Sequence, residues 1–310
     1  MSILSLIITV AGLCLFEIVS SIDNAIVNAE VLSTMSQKAR RWFLIWGLLI
    51  AVFAIRGLLP WLIVWFATPG IGPFEALTAA FSGDAHIMEA VEKSAPILLA
   101  GGGTFLVFLF FHWLFLEPKV CGLPGEGFFL KQGIWFYAVV SGLLATIVWF
   151  ALGINPSMAF GAVIGSTAFF ITHGFKQNAE QAEQKLVHGA SALSDMSKIL
   201  YLEVIDATFS IDGVLGAFAF TLSVPLILLG NGIGAVVLRQ ITVGNIERIK
   251  RYCYLKNGAM YSILALGSIM LLDAFGVHIP SWVSPAITFV LVGFFGWKSW
   301  KALQLVATAN

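Results

Sequence analysis

Apolar residues run from Ile3 to about Ser33 with so few breaks that the polar ones stand out: Glu17, Ser20, Ser21, Asp23 and Asn24 all fall inside the run. The same pattern, a long apolar window interrupted by a handful of polar positions, recurs along the chain. A helix crossing about 30 Å of hydrocarbon needs roughly 20 mostly apolar residues. Windows of that kind lie at 3–33, 42–67, 95–117, 133–152, 156–174, 199–222, 224–243, 257–273 and 283–303. Two divisions, at Gly153-Ile154-Asn155-Pro156 and at Ser223-Val224-Pro225, rest on proline, which ends one helix and opens the next. The pattern predicts an all-α fold, a polytopic transmembrane helical bundle of about nine spans, with residues 1–310 as a single integral membrane domain.

Composition agrees: 59% of the residues are hydrophobic and 11% charged, with a mean hydropathy of +0.92, outside the balance of a water-soluble domain. Charge placement tests the span count independently, because Lys and Arg accumulate on the cytoplasmic side. Lys38, Arg40 and Arg41 follow the first window, Lys119 and Lys131 the third, and Lys176, Lys185 and Lys198 the fifth. Arg248, Lys250, Arg251 and Lys256 follow the seventh, and Lys298 and Lys301 close the ninth. Fourteen of the 17 basic residues thus fall on one side, which predicts an amino terminus outside and a carboxyl terminus in the cytoplasm. The long connections, 68–94 and 175–198, are too short for a core of their own. The start reads as a first span, not a cleavable signal peptide. Cys14, Cys121 and Cys253, odd in number and unclustered, read as packing residues and suggest neither a disulfide framework nor a thiolate metal site.

The polar interruptions repeat. Glu17-Ile-Val-Ser-Ser21-Ile22-Asp23 lies over Asp206-Ala-Thr-Phe-Ser210-Ile211-Asp212, two acids six apart around a shared Ser-Ile-Asp. In the helix that follows each, Gly47 and Arg56 match Gly230 and Arg239, nine apart in both copies. The repeat units, 3–67 and 199–243, start on opposite sides of the membrane by the predicted topology, so the chain is expected to hold two inverted repeats, a recurring transporter plan with a polar site near the midplane. A carboxylate at the bilayer centre costs about 2.5–3.5 kcal/mol on insertion scales and usually serves ions or protons. Four carboxylates against Arg56 and Arg239 leave a formal charge of −2, which one divalent cation would balance.

The expected metal site is Glu17, Asp23, Asn24, Asp206 and Asp212, with Ser21, Ser210, Asn231, Arg56 and Arg239 as supporting polar and charge-balancing residues. An oxygen-only donor set suits Mn²⁺, Ca²⁺ or Mg²⁺ better than Cu⁺ or Zn²⁺. A six-residue step turns the second acid of each pair about 120° from the first on a straight helix. Either the helix unwinds between them, for which Gly213 and Gly216 offer the means in the second copy, or one acid binds metal while the other pairs with arginine. Glu203, one turn before Asp206 on nearly the same face, is an open candidate.

These motifs, E-x5-D-N-A in the first span, D-x5-D later, N-x-I-x4-L-R in the next helix and the closing L-K-N-G-A-M…H-I-P-S-W-V-S run, resemble the TerC family of membrane proteins, named for tellurium resistance, over about residues 10–303. The resemblance implies a bacterial inner-membrane protein of a wider cation-exporter group, with manganese efflux as the activity. It assigns Glu17, Asp23 and Asn24 to a first acidic motif, Asp206 and Asp212 to a second, and Arg56 and Arg239 to the helix after each. The expected function is export of a divalent cation, Mn²⁺ first and Ca²⁺ next, as substrate with no tightly bound cofactor, by alternating access with proton-driven release. Expected partners are the metal ion and membrane lipid, with a homo-oligomer or soluble cytoplasmic proteins as further contacts and no nucleic acid.

The alternative is a membrane scaffold of a tellurium or metal stress-resistance complex, docking partners through basic loops 37–41 and 247–256, which also read as topology determinants. An oxyanion site on the two arginines is disfavoured by the surrounding acid. No nucleotide loop, nucleophile elbow or H-E-x-x-H pattern points to an enzyme. Gly101-Gly102-Gly103 reads as close helix packing. His112 and His173 read as hydrogen-bonded, packed histidines and not as ligands, and Lys298 as an interfacial anchor.

Overall fold

A computed structural model describes residues 3–47, 49–50, 56–68, 70–76, 85–188 and 194–309, and among these it contains helices and no strand. Helices α1 (Ile3–Ser20) and α2 (Ile22–Ser33) continue each other across Ser21, and α3 (Gln37–Trp42) runs into a π-helical turn over Phe43–Gly47, followed by α4 (Leu58–Ala67). Then come α5 (Ala85–Leu116), α6 (Glu126–Lys131), α7 (Phe136–Leu152) and α8 (Pro156–His188). The last four are α9 (Asp195–Ala217), α10 (Val224–Lys250), α11 (Leu255–Ala274) and α12 (Val283–Ala309). Both proline junctions fall at helix boundaries: α8 opens on Pro156, and Pro225 lies in the first turn of α10, where a missing N–H costs nothing.

Among the described residues, six helical stretches are long and apolar enough to cross a membrane: Ile3–Ser20, Glu89–Leu116, Gly133–Leu152, Pro156–Phe175, Val224–Ile241 and Leu255–Ala274. The molecule is an all-helical membrane protein. The windows expected at 42–67, 199–222 and 283–303 are not among the six. The first is split between a π-turn and α4, with 51–55 outside the described residues. Helix α9 carries Glu203, Asp206 and Asp212, and α12 carries Lys298 and Lys301, which lower the mean apolarity whichever way those side chains face.

Helix α5 is the central post, sandwiched between α8 and α11 where glycines let backbones touch. A Cβ on Gly165 would stand against the Gly101 carbonyl, and one on Gly103 would lie 2.9 Å from the Gly267 carbonyl oxygen, so the triple glycine is the packing surface expected from its sequence. Around this contact Phe105 and Phe108 set their rings edge-on to Phe169. Gly165→Ala should therefore lower the thermal midpoint in detergent, overpacking of this kind costing about 1–3 kcal/mol. Gly142→Ala on α7, where a Cβ meets nothing within 4 Å, is the control expected to melt like wild type. Equal midpoints for the two variants would refute the close α5–α8 contact.

Connections that bear the basic residues touch one another. Ser36 caps α3 and donates to Asp195 at the start of α9, while Lys198 donates to Thr34 Oγ1 at 3.2 Å. Farther along the chain, Lys119 Nζ donates to the Trp113 and Leu114 carbonyls, closing the end of α5, and Glu126 accepts from Asn257 Nδ2 at 3.1 Å and the Tyr261 hydroxyl at 3.0 Å. Here the packing assignment of Cys121 and Cys253 is overturned: they form a disulfide, 132 residues apart in sequence, with Cα atoms 5.6 Å apart. Folding of the 117–131 connection back onto the start of α11 brings them together, and no spacing rule could pair them. Cys14 is a free, half-buried thiol, as the packing assignment requires.

Candidate functional site

Glu17 sits in the last turn of α1, and the chain leaves room for it on the opposing copy. A Cβ on Gly213 would come within 2.9 Å of Glu17 Oε2, and one on Gly234 within 2.7 Å of Glu17 Cβ. Gly216 likewise clears the ring of Phe16. The glycines after Asp206 thus serve as clearance and not as a break: α9 runs unbroken past Asp206 and Asp212. The interruption falls in the first copy instead, at Ser21, whose hydroxyl donates to Glu17 Oε1 at 2.9 Å.

Arg56 joins the two copies. Its Nε and Nη2 lie 2.8 and 2.7 Å from Glu17 Oε1, and its Nη1 reaches Asp206 Oδ2 at 3.4 Å. Asn24 Nδ2 donates to the other oxygen of Asp206. All are sealed from solvent, with Glu17 1%, Arg56 3%, Asn24 4% and Asp206 7% exposed, so the ion pairs act in a low-dielectric interior where charges need partners. Ser210, expected to support the acids, sends its proton to the Asp206 backbone carbonyl at 2.6 Å.

The structure also brings Glu203 into the cluster. A Cβ on Gly47 would stand against its carboxylate, which lies within electrostatic reach of Asp206, Arg239 and Arg56. Both Glu203 oxygens are buried without a hydrogen-bond partner among the described residues. The Arg239 guanidinium lies 4.3 Å from the centre of the Phe43 ring, a cation–π contact, with Nη1 buried and without a hydrogen-bond partner among the described residues. Asn24 Oδ1, Asn28 Oδ1 and both amide atoms of the fully buried Asn231 likewise have no hydrogen-bond partner among the described residues.

Of the expected site, then, Glu17 and Asp206 converge on Arg56, and Asn24 joins them through Asp206. The side chain of Asp23 lies outside the described residues. Asp212 is partly buried, one and two-thirds turns beyond Asp206 on an unbroken helix, about 120° round from it. Among the described residues no group of three or more His, Cys, Asp or Glu side chains is arranged to hold a metal ion. Glu17, Glu203 and Asp206 against Arg56 and Arg239 leave one formal negative charge.

A second polar group lies near the end of α5. His112 Nδ1 is 3.6 Å from Glu117 Oε1, Lys256 Nζ is 2.8 Å from Glu117 Oε2, and the rings of His112 and His173 are 3.8 Å apart beside Phe136 and Phe169. Burial would push the Glu117 carboxyl up, but the neighbouring His112 ring and the ion pair with Lys256 outweigh it and hold it down at about 2. The histidines pack ring to ring, with His112 Nδ1 lacking a hydrogen-bond partner among the described residues; the Glu117–Lys256 pair has no sequence signal, because nothing in the spacing relates two residues so far apart.

A family model described as a protein of unknown function (DUF475) matches residues 22–304, which takes in Asn24, Arg56, Glu203, Asp206 and Arg239 and begins just after Glu17. No curated protein and no solved structure matches the chain.

Proposed function

Since the chain belongs to that family of proteins of unknown function, DUF475, we propose its function from the site itself: it is a membrane transporter that moves a divalent cation, Mn²⁺ before Ca²⁺, through the buried Glu17–Arg56–Asp206 cluster. The observation that carries this is one arginine shared by the matching acids of two sequence repeats. Two contacts exchange under that repeat: Asn24, which aligns with Gly213, packs on Asp206, and Gly213 packs on Glu17, which aligns with Asp206. This reciprocity supports the inverted-repeat reading of units 3–67 and 199–243 and, with it, a bundle of about nine spans.

The chemistry follows from the donors. The unpartnered oxygens of Glu203, Asn24, Asn28 and Asn231, with the carboxylates of Glu17 and Asp206, are hard oxygen ligands that fit Mn²⁺, Ca²⁺ or Mg²⁺. A cation entering between the acids competes with Arg56, so arginine and cation hold the carboxylates in turn. Protons compete for the same oxygens and can drive release. The basic face is taken as cytoplasmic, with the amino terminus outside, and the resemblance to TerC proteins implies a bacterial inner membrane.

The test is cation flux into proteoliposomes, comparing Mn²⁺, Ca²⁺ and Mg²⁺ for wild type and Asp206→Asn. Asp206→Asn leaves Glu17 and Arg56 matched one to one, so it is expected to fold and to lose Mn²⁺ flux. Folded wild type that moves none of the three ions in either direction across a pH gradient would overturn the proposal and leave a scaffold held together by buried ion pairs.

A further inference from the structure

The Cys121–Cys253 bond lies where the connection after α5 meets the corner between α10 and α11, on the face that carries the basic residues. Both cysteines are partly exposed, so a soluble thiol can reach them. Beside the bond is a cavity of about 160 Å³ lined by Ile22, Ile26, Trp113, Lys119, Ile249 and Cys253. Ile22 and Ile26 stand on α2, the helix of Asn24; Ile249 stands on α10, the helix of Arg239. Buried Ile22, Ala25 and Leu238 form one core on which Ile26, Ile249 and Leu255 pack, so the corner held by Cys253 is packed directly against the turns that carry the site residues.

Lys and Arg placement assigns this face to the cytoplasm, where thiol systems keep cysteines reduced. A disulfide there is a bond that is made and broken. We propose that Cys121 and Cys253 form a thiol-redox clamp: oxidised, the bond fixes the α10–α11 corner to the 117–131 connection and restrains α2 against α10; reduced, it releases them and allows the site to change access. Opening takes two electrons and two protons from a dithiol reductant, which becomes a disulfide, and yields two cysteine thiols. Closing returns the two electrons and two protons to a small-molecule or protein disulfide, which becomes two thiols.

The regulatory half rests on the transporter reading, so the experiment reads the clamp in two ways that do not need flux. Cells expressing the full chain are quenched in acid and alkylated with a mass tag before and after diamide. The expected result is reduced cysteines in growing cells and a Cys121–Cys253 bond after the oxidant; a bond present in both, or one opened by a membrane-impermeant reductant added outside intact cells, overturns the clamp. Hydrogen exchange on purified protein should speed up roughly 5- to 10-fold in 22–33 and 249–257 on treatment with dithiothreitol, the scale of ordinary coupling between sites, with no such response in Cys121→Ser/Cys253→Ser. Unchanged exchange in wild type, which needs no variant to fold, also overturns it. Mn²⁺ flux measured on the same samples separates the two proposals: flux that ignores reductant removes the regulatory role while the transporter stands, and absence of flux in both redox states removes the transporter while the exchange data decide the clamp.

Discussion

Arg56→Gln is expected to destabilise the protein more than any other single change at the site. Its guanidinium serves two carboxylates at once, Glu17 at 2.7 Å and Asp206 at 3.4 Å, on side chains almost wholly sealed from solvent. Removing one partner of a buried pair costs about 3–5 kcal/mol, because the remaining charge is left without compensation. Here two charges are left. A drop in thermal midpoint on the order of 10 °C in detergent is the expected reading. Arg56→Lys should fall between the two, since an ammonium keeps the charge but cannot hold Glu17 with two nitrogens while reaching Asp206 with a third. Adding Glu17→Gln to Arg56→Gln removes the worst of the stranded charge and should recover part of the loss, a coupling that a purely steric role for Arg56 would not produce. An Arg56→Gln protein that melts with wild type would show that the ion pairs do not hold the bundle.

How much of this was legible in the sequence depended on repetition. Glu17, Asp206 and Arg56 could be singled out because each has a counterpart at the same spacing in the other copy, and an intramembrane charge must find a partner. Glu203 could not be decided, because the position that aligns with it in the first copy is Cys14, so the repeat offers no second instance. The role of Gly213 and Gly216 stays open in the sequence for a related reason: glycine in a helix signals either a bend or a close approach, and only the position of Glu17 and Phe16 on the neighbouring helix distinguishes them. Apolarity marks nine windows, and six of them are plain spans; the window at 199–222, the charged α9, falls short on average because a hydropathy average cannot tell a carboxylate that faces lipid from one that faces Arg56. The Cys121–Cys253 bond was invisible because it depends on how a loop folds back across 132 residues.

Glu203→Gln separates function from structure, with an expected loss of Mn²⁺ flux of roughly tenfold or more and little change in stability. Both carboxylate oxygens are buried and accept no hydrogen bond among the described residues, so replacing them with a neutral amide of the same shape breaks no contact. A buried charge that lacks hydrogen bonds is costly to keep, and its removal should alter stability by about 1 kcal/mol or less. Such a group survives at a site when activity requires it, the familiar trade of stability for function. Glu203 has Arg239 and Arg56 to attract it and Asp206 to repel it, so the alternative is a structural partner for Arg239. Flux and thermal midpoint measured on the same preparation tell these apart. A midpoint that falls as far as in Arg56→Gln makes Glu203 a helix-pairing residue; unchanged flux at unchanged midpoint takes it out of the transport path; lost flux at an unchanged midpoint puts a carboxylate with no counterpart in the first repeat at the centre of the mechanism, and makes the two halves of the site chemically unequal despite their matching motifs.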